Sequence, residues 1–346
     1  MLKFNIPASI VILILFLLSG CSNNTPVTQD FLLMDTLVHI EIRGNLDKNS
    51  KATAANAAYE RMRESEKRFT YFRGESELAR INRLRAGERF PVSEEMFEVL
   101  LESRKISRLT GGAFDVTVAP VLEVWSSLKK SRKLPTTEEI RTALELVGSD
   151  NWALDEKTKT LSLRKDGVKI NLGAVAKGFI VDDGIRVLKE KGIKNALINA
   201  GGDMYCMGKG SKGGWRIGIR DPGRTEGVIG IFRISNKAVA TSGGYERFVE
   251  FNGKKFAHII DPRTGYPIEN LLKSVTVVSD NCITADALAT ALYILGAREG
   301  LSLIESTDGT ECFIIDKDGQ VYTSSGFRKF DLRIMERDSG RLRPAR

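Results

Sequence analysis

The sequence predicts an α+β fold with mixed, largely antiparallel sheets and flanking helices. Helical patterns fill the first half of the chain, and short strands joined by turns fill the second. No regular alternation of strand and helix supports a doubly wound parallel sheet. With no internal repeat, low-complexity block or Pro/Gly-rich linker, the elements read as a two-lobed single catalytic unit over residues 31–330, with a basic tail at 331–346. The 346 residues, 42% hydrophobic and 28% charged, suffice for a sizeable core. A formal charge of +8, from 52 Lys+Arg against 44 Asp+Glu, favours anionic partners without choosing among nucleotides, phosphates and lipid headgroups. No basic stripe interleaved with aromatics points to nucleic acid.

The first twenty residues read as a leader. A basic start at Lys3 precedes an apolar run, Ile6 to Leu18, too short for a comfortable membrane span. Leu18-Ser19-Gly20-Cys21 then resembles a bacterial lipobox, which implies lipid on Cys21; an ordinary signal peptide or an uncleaved anchor is the alternative, and each reading puts the mature protein outside the cytoplasm. Residues 21–30 read as a polar tether. Residues 31–42 alternate as a strand, and the Ala-rich stretch from Lys51 to Phe69 reads as a helix. Ser93, with Glu94 and Glu95 after it, opens a second helix that ends at Gly111-Gly112; Thr137, with Glu138 and Glu139, opens a third that stops by Gly148. Residues 152–171 read as short strands. A helix spans roughly 174–191 and Gly192 ends it. Residues 196–199, 215–219, 228–234, 239–241, 245–259 and 273–279 are strand-like, with a hairpin signal at Asn252-Gly253. Residues 284–295 read as a helix ended by Gly296, and a last strand pair turns at Asp318-Gly319. Residues beyond Asp331 are expected to fray. Cys206, Cys282 and Cys312 lack metal-ligand spacing; one bridge or three buried thiols both fit.

Four stretches could carry chemistry. In "INLGAVAKGFIVDDG" Lys177 falls in the first turn of a helix, where the dipole disfavours a cation, so an anion such as a phosphate would compensate it; a solvated lysine is the alternative. In "TADALATAL" Asp286 and Thr290 share a helix face among Ala and Leu, as hard oxygen ligands for Mg²⁺ or as a cap and a back-bonded hydroxyl. In "LTGGAFDVTVAP" the glycines permit close approach to a flat ring or phosphate, or simply end a helix before a core Phe. His258, one of two histidines, closes a strand before the turn Asp261-Pro262-Arg263-Thr264-Gly265, which suits a general base, a phosphate contact or a structural role. Neither a Walker A loop nor a G-x-G-x-x-G helix opening is present.

Together these stretches resemble the ApbE family, the FAD:protein FMN transferases. The matching pieces run in order from about residue 31 to 325: "MDT", "FTYFRGESELARIN", "TGGAFDVT", "NLGAVAKG", "NAGGD", "TSGGYER", "HIIDPRTGYP" and "ADALATAL". The resemblance implies an ApbE-like (T-fold-like) unit that binds FAD and Mg²⁺ and moves the FMN half of FAD onto a Thr hydroxyl of an acceptor protein, releasing AMP. It puts metal ligands on Asp286, Thr290 and the Ala174 carbonyl. It puts flavin and nucleotide contacts on Met34, Tyr71, Gly112, Ala113, Phe114, Asn171, Lys177, His258 and Ile259, with His258 as the candidate base. Family acceptors are subunits of Nqr- and Rnf-type membrane redox complexes. Two positions depart from the family pattern: Asp35 stands in place of Gly, and Asn171 in place of a carboxylate. An Mg-dependent FAD pyrophosphatase and a non-catalytic FAD-binding lipoprotein are the competing readings; Tyr71 resembles the transferase type.

Overall fold

The computed structural model describes residues 25–71, 74–210, 213–224, 227–244, 248–251, 254–269, 272–336 and 343–344. The expected leader with Cys21 and the expected hairpin signal at Asn252-Gly253 lie outside the described residues.

The chain enters through Val27–Leu33 (β1) and Thr36–Arg43 (β2), an antiparallel hairpin. A single strand over 31–42 was the expectation. The chain instead reverses at Met34-Asp35, whose φ of 55° and 54° put both in the left-handed region that two-residue hairpin turns require. The Met34 amide donates to Glu66 Oε1 at 2.7 Å and fixes the turn. The tether is also shorter than expected, because β1 begins at Val27.

Helix α1, Lys48–Phe69, starts where the Asp47 side chain accepts from Ser50 N, and buries Ala54, Ala55, Ala58, Met62 and Phe69 along one stripe. Next come α2 (Glu77–Ile81), β3 (Arg89–Pro91), α3 (Glu94–Leu109) capped by Ser93, α4 (Ala119–Ser131), and α5 (Thr137–Leu144) with a Thr136/Glu139 capping box. Sequence reading missed α2, a helix of five residues, and α4, which opens with Pro120 and carries no side-chain cap.

Strands β4 (Trp152–Asp155) and β5 (Thr160–Leu163) lead to α6 (Ala176–Glu190). The meander follows: β6 (Asn195–Ala200), β7 (Asp203–Met207), β8 (Trp215–Arg220), β9 (Val228–Ile234), β10 (Lys237–Gly243), β11 (Phe248–Phe251), β12 (Lys254–Ala257) and β13 (Leu272–Ser279). Helix α7 (Cys282–Glu305) precedes β14 (Glu311–Asp316), β15 (Val321–Thr323), β16 (Arg333–Glu336) and β17 (Arg343–Pro344). Gly296, expected to end α7, breaks its helical geometry at φ 82°, yet the helix resumes to Glu305.

Eight strands form the central sheet in the order β1-β2-β6-β7-β10-β13-β14-β15, every neighbouring pair antiparallel. Helices α1, α6 and α7 pack over one face and make the main core with residues such as Val38, Ile40, Met62, Phe179, Leu288 and Leu292. The other face meets β8 and β9, whose inward Trp215, Ile217, Ile219 and Phe232 pack on Val239, Val278 and Phe313. Strand β16 pairs with β9 through Arg333 opposite Ile231 and with β17 through Met335 opposite Pro344, so the start of the expected fraying tail is an inner strand of the sheet β17-β16-β9-β8. Helix α7 is apolar and long enough to cross a membrane, but Ala285, Leu288, Ala289 and Leu292 are fully buried beneath the sheet, which makes it a core helix. Cys206, Cys282 and Cys312 are free buried thiols.

Candidate active site

A cleft of about 560 Å³ opens where the β1–β2 turn, the end of α1, the start of α6 and the middle of α7 converge. Of the residues expected to act, Met34, Tyr71, Ala113, Phe114, Asn171, Ala174, Lys177, His258, Ile259, Asp286 and Thr290 all line it. Gly112 does not. It ends α3, donating its amide to Ser107 O at 2.9 Å with φ 79°, and thereby aims Ala113 and Phe114 inward.

The polar floor is built by two helices. The Lys177 ammonium donates to Asp203 Oδ2, so the anion that compensates a cation in the first turn of α6 is a protein carboxylate. Burial alone would depress the Lys177 ammonium, but the Asp203 and Asp286 carboxylates outweigh it and hold it above its usual range. Asp286, 5% exposed, accepts from the Gly178 amide at 3.0 Å. Burial, reinforced by the charge of Asp203, pushes its carboxyl up to about 7 against the pull of Lys177 and that amide. Two buried carboxylates thus share one ammonium, an arrangement a divalent cation would relieve. One turn along α7, Thr290 Oγ1 lies 3.2 Å from Ser242 Oγ on β10.

The rim is held from several directions. Asn171 Oδ1 accepts from Gly173 N at 2.8 Å, which tightens the turn into α6 and leaves the amide Nδ2 as the group able to donate to a ligand. The Tyr71 hydroxyl donates to Glu123, and Lys169 grips the same carboxylate at 2.7 Å. His258 is exposed at the end of β12. The turn behind it is rigid: Asp261 accepts from the Arg263 amide at 2.9 Å and pairs with its guanidinium, while Gly265 N donates to Asp261 O at 2.8 Å and Trp125 Nε1 to Gly265 O at 2.8 Å. The other histidine, His39, meets Asp30 across the β1–β2 hairpin at 2.7 Å.

Sequence reasoning missed Asp203, Glu66, Ser242 and Glu123. Asp203 stood in the quoted "NAGGD", but nothing local signals that it reaches across to Lys177.

The ApbE family model matches residues 34–314. A FAD:protein FMN transferase of Haemophilus influenzae is 33% identical over 330 residues, spanning 90% of this chain and 94% of that protein. Another, from Klebsiella pneumoniae, is 31% identical over 287 residues, 83% of this chain and 88% of that protein. The crystal structure of the ApbE protein of Thermotoga maritima superposes with a TM-score of 0.80 at 31% identity, covering 88% of this chain and 99% of that one. The flavin transferase ApbE of Vibrio cholerae gives 0.77 at 31% identity, covering 89% and 99%. With its fold and most of its length shared with these proteins, the chain belongs to the ApbE family.

Proposed function

We propose that the protein is an Mg²⁺-dependent FAD:protein FMN transferase that joins the FMN half of FAD to a threonine hydroxyl of an acceptor protein and releases AMP. The observation that carries this reading is the convergence, in one cleft, of an apolar wall (Met34, Phe114, Ile259) with Asp286 and the half-buried Lys177, which Asp203 holds from behind. An isoalloxazine needs the first and a pyrophosphate the second.

The residues present fit a magnesium ion. Asp286, Thr290 and the Ala174 carbonyl offer only oxygen donors, and substrate phosphates would complete the shell. No cluster of three His, Cys, Asp or Glu suited to a metal occurs among the described residues, so the protein supplies few ligands, as magnesium–phosphate sites tend to. When bound, the ion would neutralise phosphate charge and polarise the phosphorus.

In the reaction the threonine oxygen bonds to the FMN phosphorus. The bond from that phosphorus to the bridging oxygen breaks, and AMP departs with the electron pair. Lys177, held in place by Asp203, faces the charge that builds on the leaving phosphate. His258, at the rim where an acceptor must approach, takes the threonine proton. A metal-binding Asp286 would be a poor base by comparison. Tyr71, tied to Glu123, lines the same cleft, and its identity resembles the transferase type.

The acceptors we propose are Nqr- or Rnf-type subunits, reached from outside the cytoplasm by a protein anchored through lipid on Cys21. Incubation with FAD, Mg²⁺ and an acceptor should add one FMN to the acceptor. Rapid release of free FMN with no adduct would instead mark a pyrophosphatase, and tight binding without turnover a flavin carrier.

A further inference from the structure

We propose that Asp182 is a positioning residue: its carboxylate ties the first turn of α7 to α6, and so sets Asp286 and Thr290 opposite Lys177 and Ala174. The inference rests on the reading of Asp286 as a cation ligand. Asp182 Oδ1 and Oδ2 each accept from the Cys282 amide at 2.8 Å, and Oδ2 also accepts from Ile283 N at 2.9 Å. Helix α7 already has a cap of its own, since Asn281 Oδ1 accepts from Thr284 N at 3.0 Å. The two amides bound by Asp182 are therefore satisfied from a different helix.

A second tie lies one turn away on both helices, where Gly178 N donates to Asp286 Oδ2 at 3.0 Å. Gly178 precedes Asp182 by four residues, and Cys282 precedes Asp286 by four, so the ties close an antiparallel frame that keeps α7 from sliding along α6. Between them the helices touch backbone to backbone: a Cβ on Gly178 would lie 2.3 Å from Cys282 O. Burial of Asp182 pushes its carboxyl up to about 7, with Glu98 adding to the rise and Arg186 opposing it. A neutral amide side chain offers one acceptor oxygen where this carboxylate uses both, so the buried charge is better explained by the geometry it enforces.

The test measures Mn²⁺ affinity of the full chain by electron paramagnetic resonance at pH 8, with and without FAD, alongside thermal unfolding. Asp182→Asn keeps one acceptor oxygen but turns the other into a donor facing the α7 amides, and is expected to weaken Mn²⁺ about 10- to 100-fold. Asp182→Glu keeps the charge but lengthens the arm, and should also weaken it, which covers the case that the Asn variant fails to fold. Ser65→Ala removes a buried 2.7 Å hydrogen bond to the neighbouring Asp183 and is the control for plain destabilisation. It should lower the melting temperature and leave Mn²⁺ affinity unchanged. A folded Asp182 variant that binds Mn²⁺ like the wild type overturns the inference, as does an equal loss of affinity in Ser65→Ala. If the wild type binds Mn²⁺ and only Asp286→Asn abolishes binding, the positioning role alone is wrong. If the wild type binds none, the cation site falls with it.

Discussion

Replacing Gly178 by alanine puts the α6–α7 contact under direct strain. The added Cβ would stand 2.3 Å from Cys282 O, 2.6 Å from Cys282 C and 2.7 Å from Ile283 Cα. All three are backbone atoms of α7, so no side chain can swing aside. An ordinary C···O contact is about 3.3 Å, so the helices must part by roughly 1 Å. Overpacking of this kind costs about 1–3 kcal/mol, partly offset by the ~1 kcal/mol that alanine gains over glycine inside a helix. The net change in stability is therefore small, a fall in melting temperature of a few degrees. Activity should suffer far more. Lys177 and Ala174 travel with α6, Asp286 and Thr290 with α7, and a 1 Å misplacement costs on the order of 100-fold in rate. Differential scanning calorimetry and single-turnover FMN transfer, measured on one preparation, separate the two effects. A Gly178→Ala enzyme with wild-type transfer would show that the helix contact does not set the site, and the reasoning would fail.

Three further outcomes follow from the same geometry. Asp286→Asn should lower FMN transfer by at least about 100-fold while leaving the cation-free protein as stable as before, since it deletes a buried charge; parallel calorimetry and transfer assays check both. Lys177→Met strands the buried Asp203 carboxylate and should cost roughly 3 kcal/mol, at the low end for a broken buried pair because the lysine is one-third exposed. Adding Asp203→Asn should restore the melting temperature but not transfer. Burial pushes the Asp182 and Asp286 carboxyls up to about 7 in the folded protein, above the roughly 4 of an exposed Asp. Between those values the native state binds more protons, so stability falls as pH rises from about 4 to 7 and levels off above, each group adding a slope of up to about 1.4 kcal/mol per pH unit. Calorimetry from pH 5 to 8 without divalent cations should show the fall, and Mg²⁺ should raise the melting temperature above pH 7.

Much of the fold was legible because its signals are local. Ser93 and Thr136 cap their helices, the Ala stripe of α1 has helical period, and β8 alternates buried and exposed residues along its length. The Met34-Asp35 reversal was not, because neither residue is the Gly or Asn that usually marks a left-handed turn; Glu66, some thirty residues on, stabilises it. The order in which the sheet joins β2 to β6 and β10 to β13 also depends on long-range pairing that no window reveals. At the site, residue type and helix position picked out Asp286, Thr290 and Lys177 but left a structural reading of each open, and only the resemblance gave them roles. Asp203 and Asp182 were not, since each acts across a tertiary contact, and a buried carboxylate looks like any other Asp until its partner is known.

The central claim is that this cleft transfers FMN to a protein hydroxyl. Its most direct test is the intact mass of an acceptor subunit after incubation with the full chain, FAD and Mg²⁺. The account predicts a mass increase of one FMN on a threonine, one AMP per adduct, and loss of both when His258 is replaced by Ala. Stoichiometric FMN and AMP in solution beside an unmodified acceptor would contradict it.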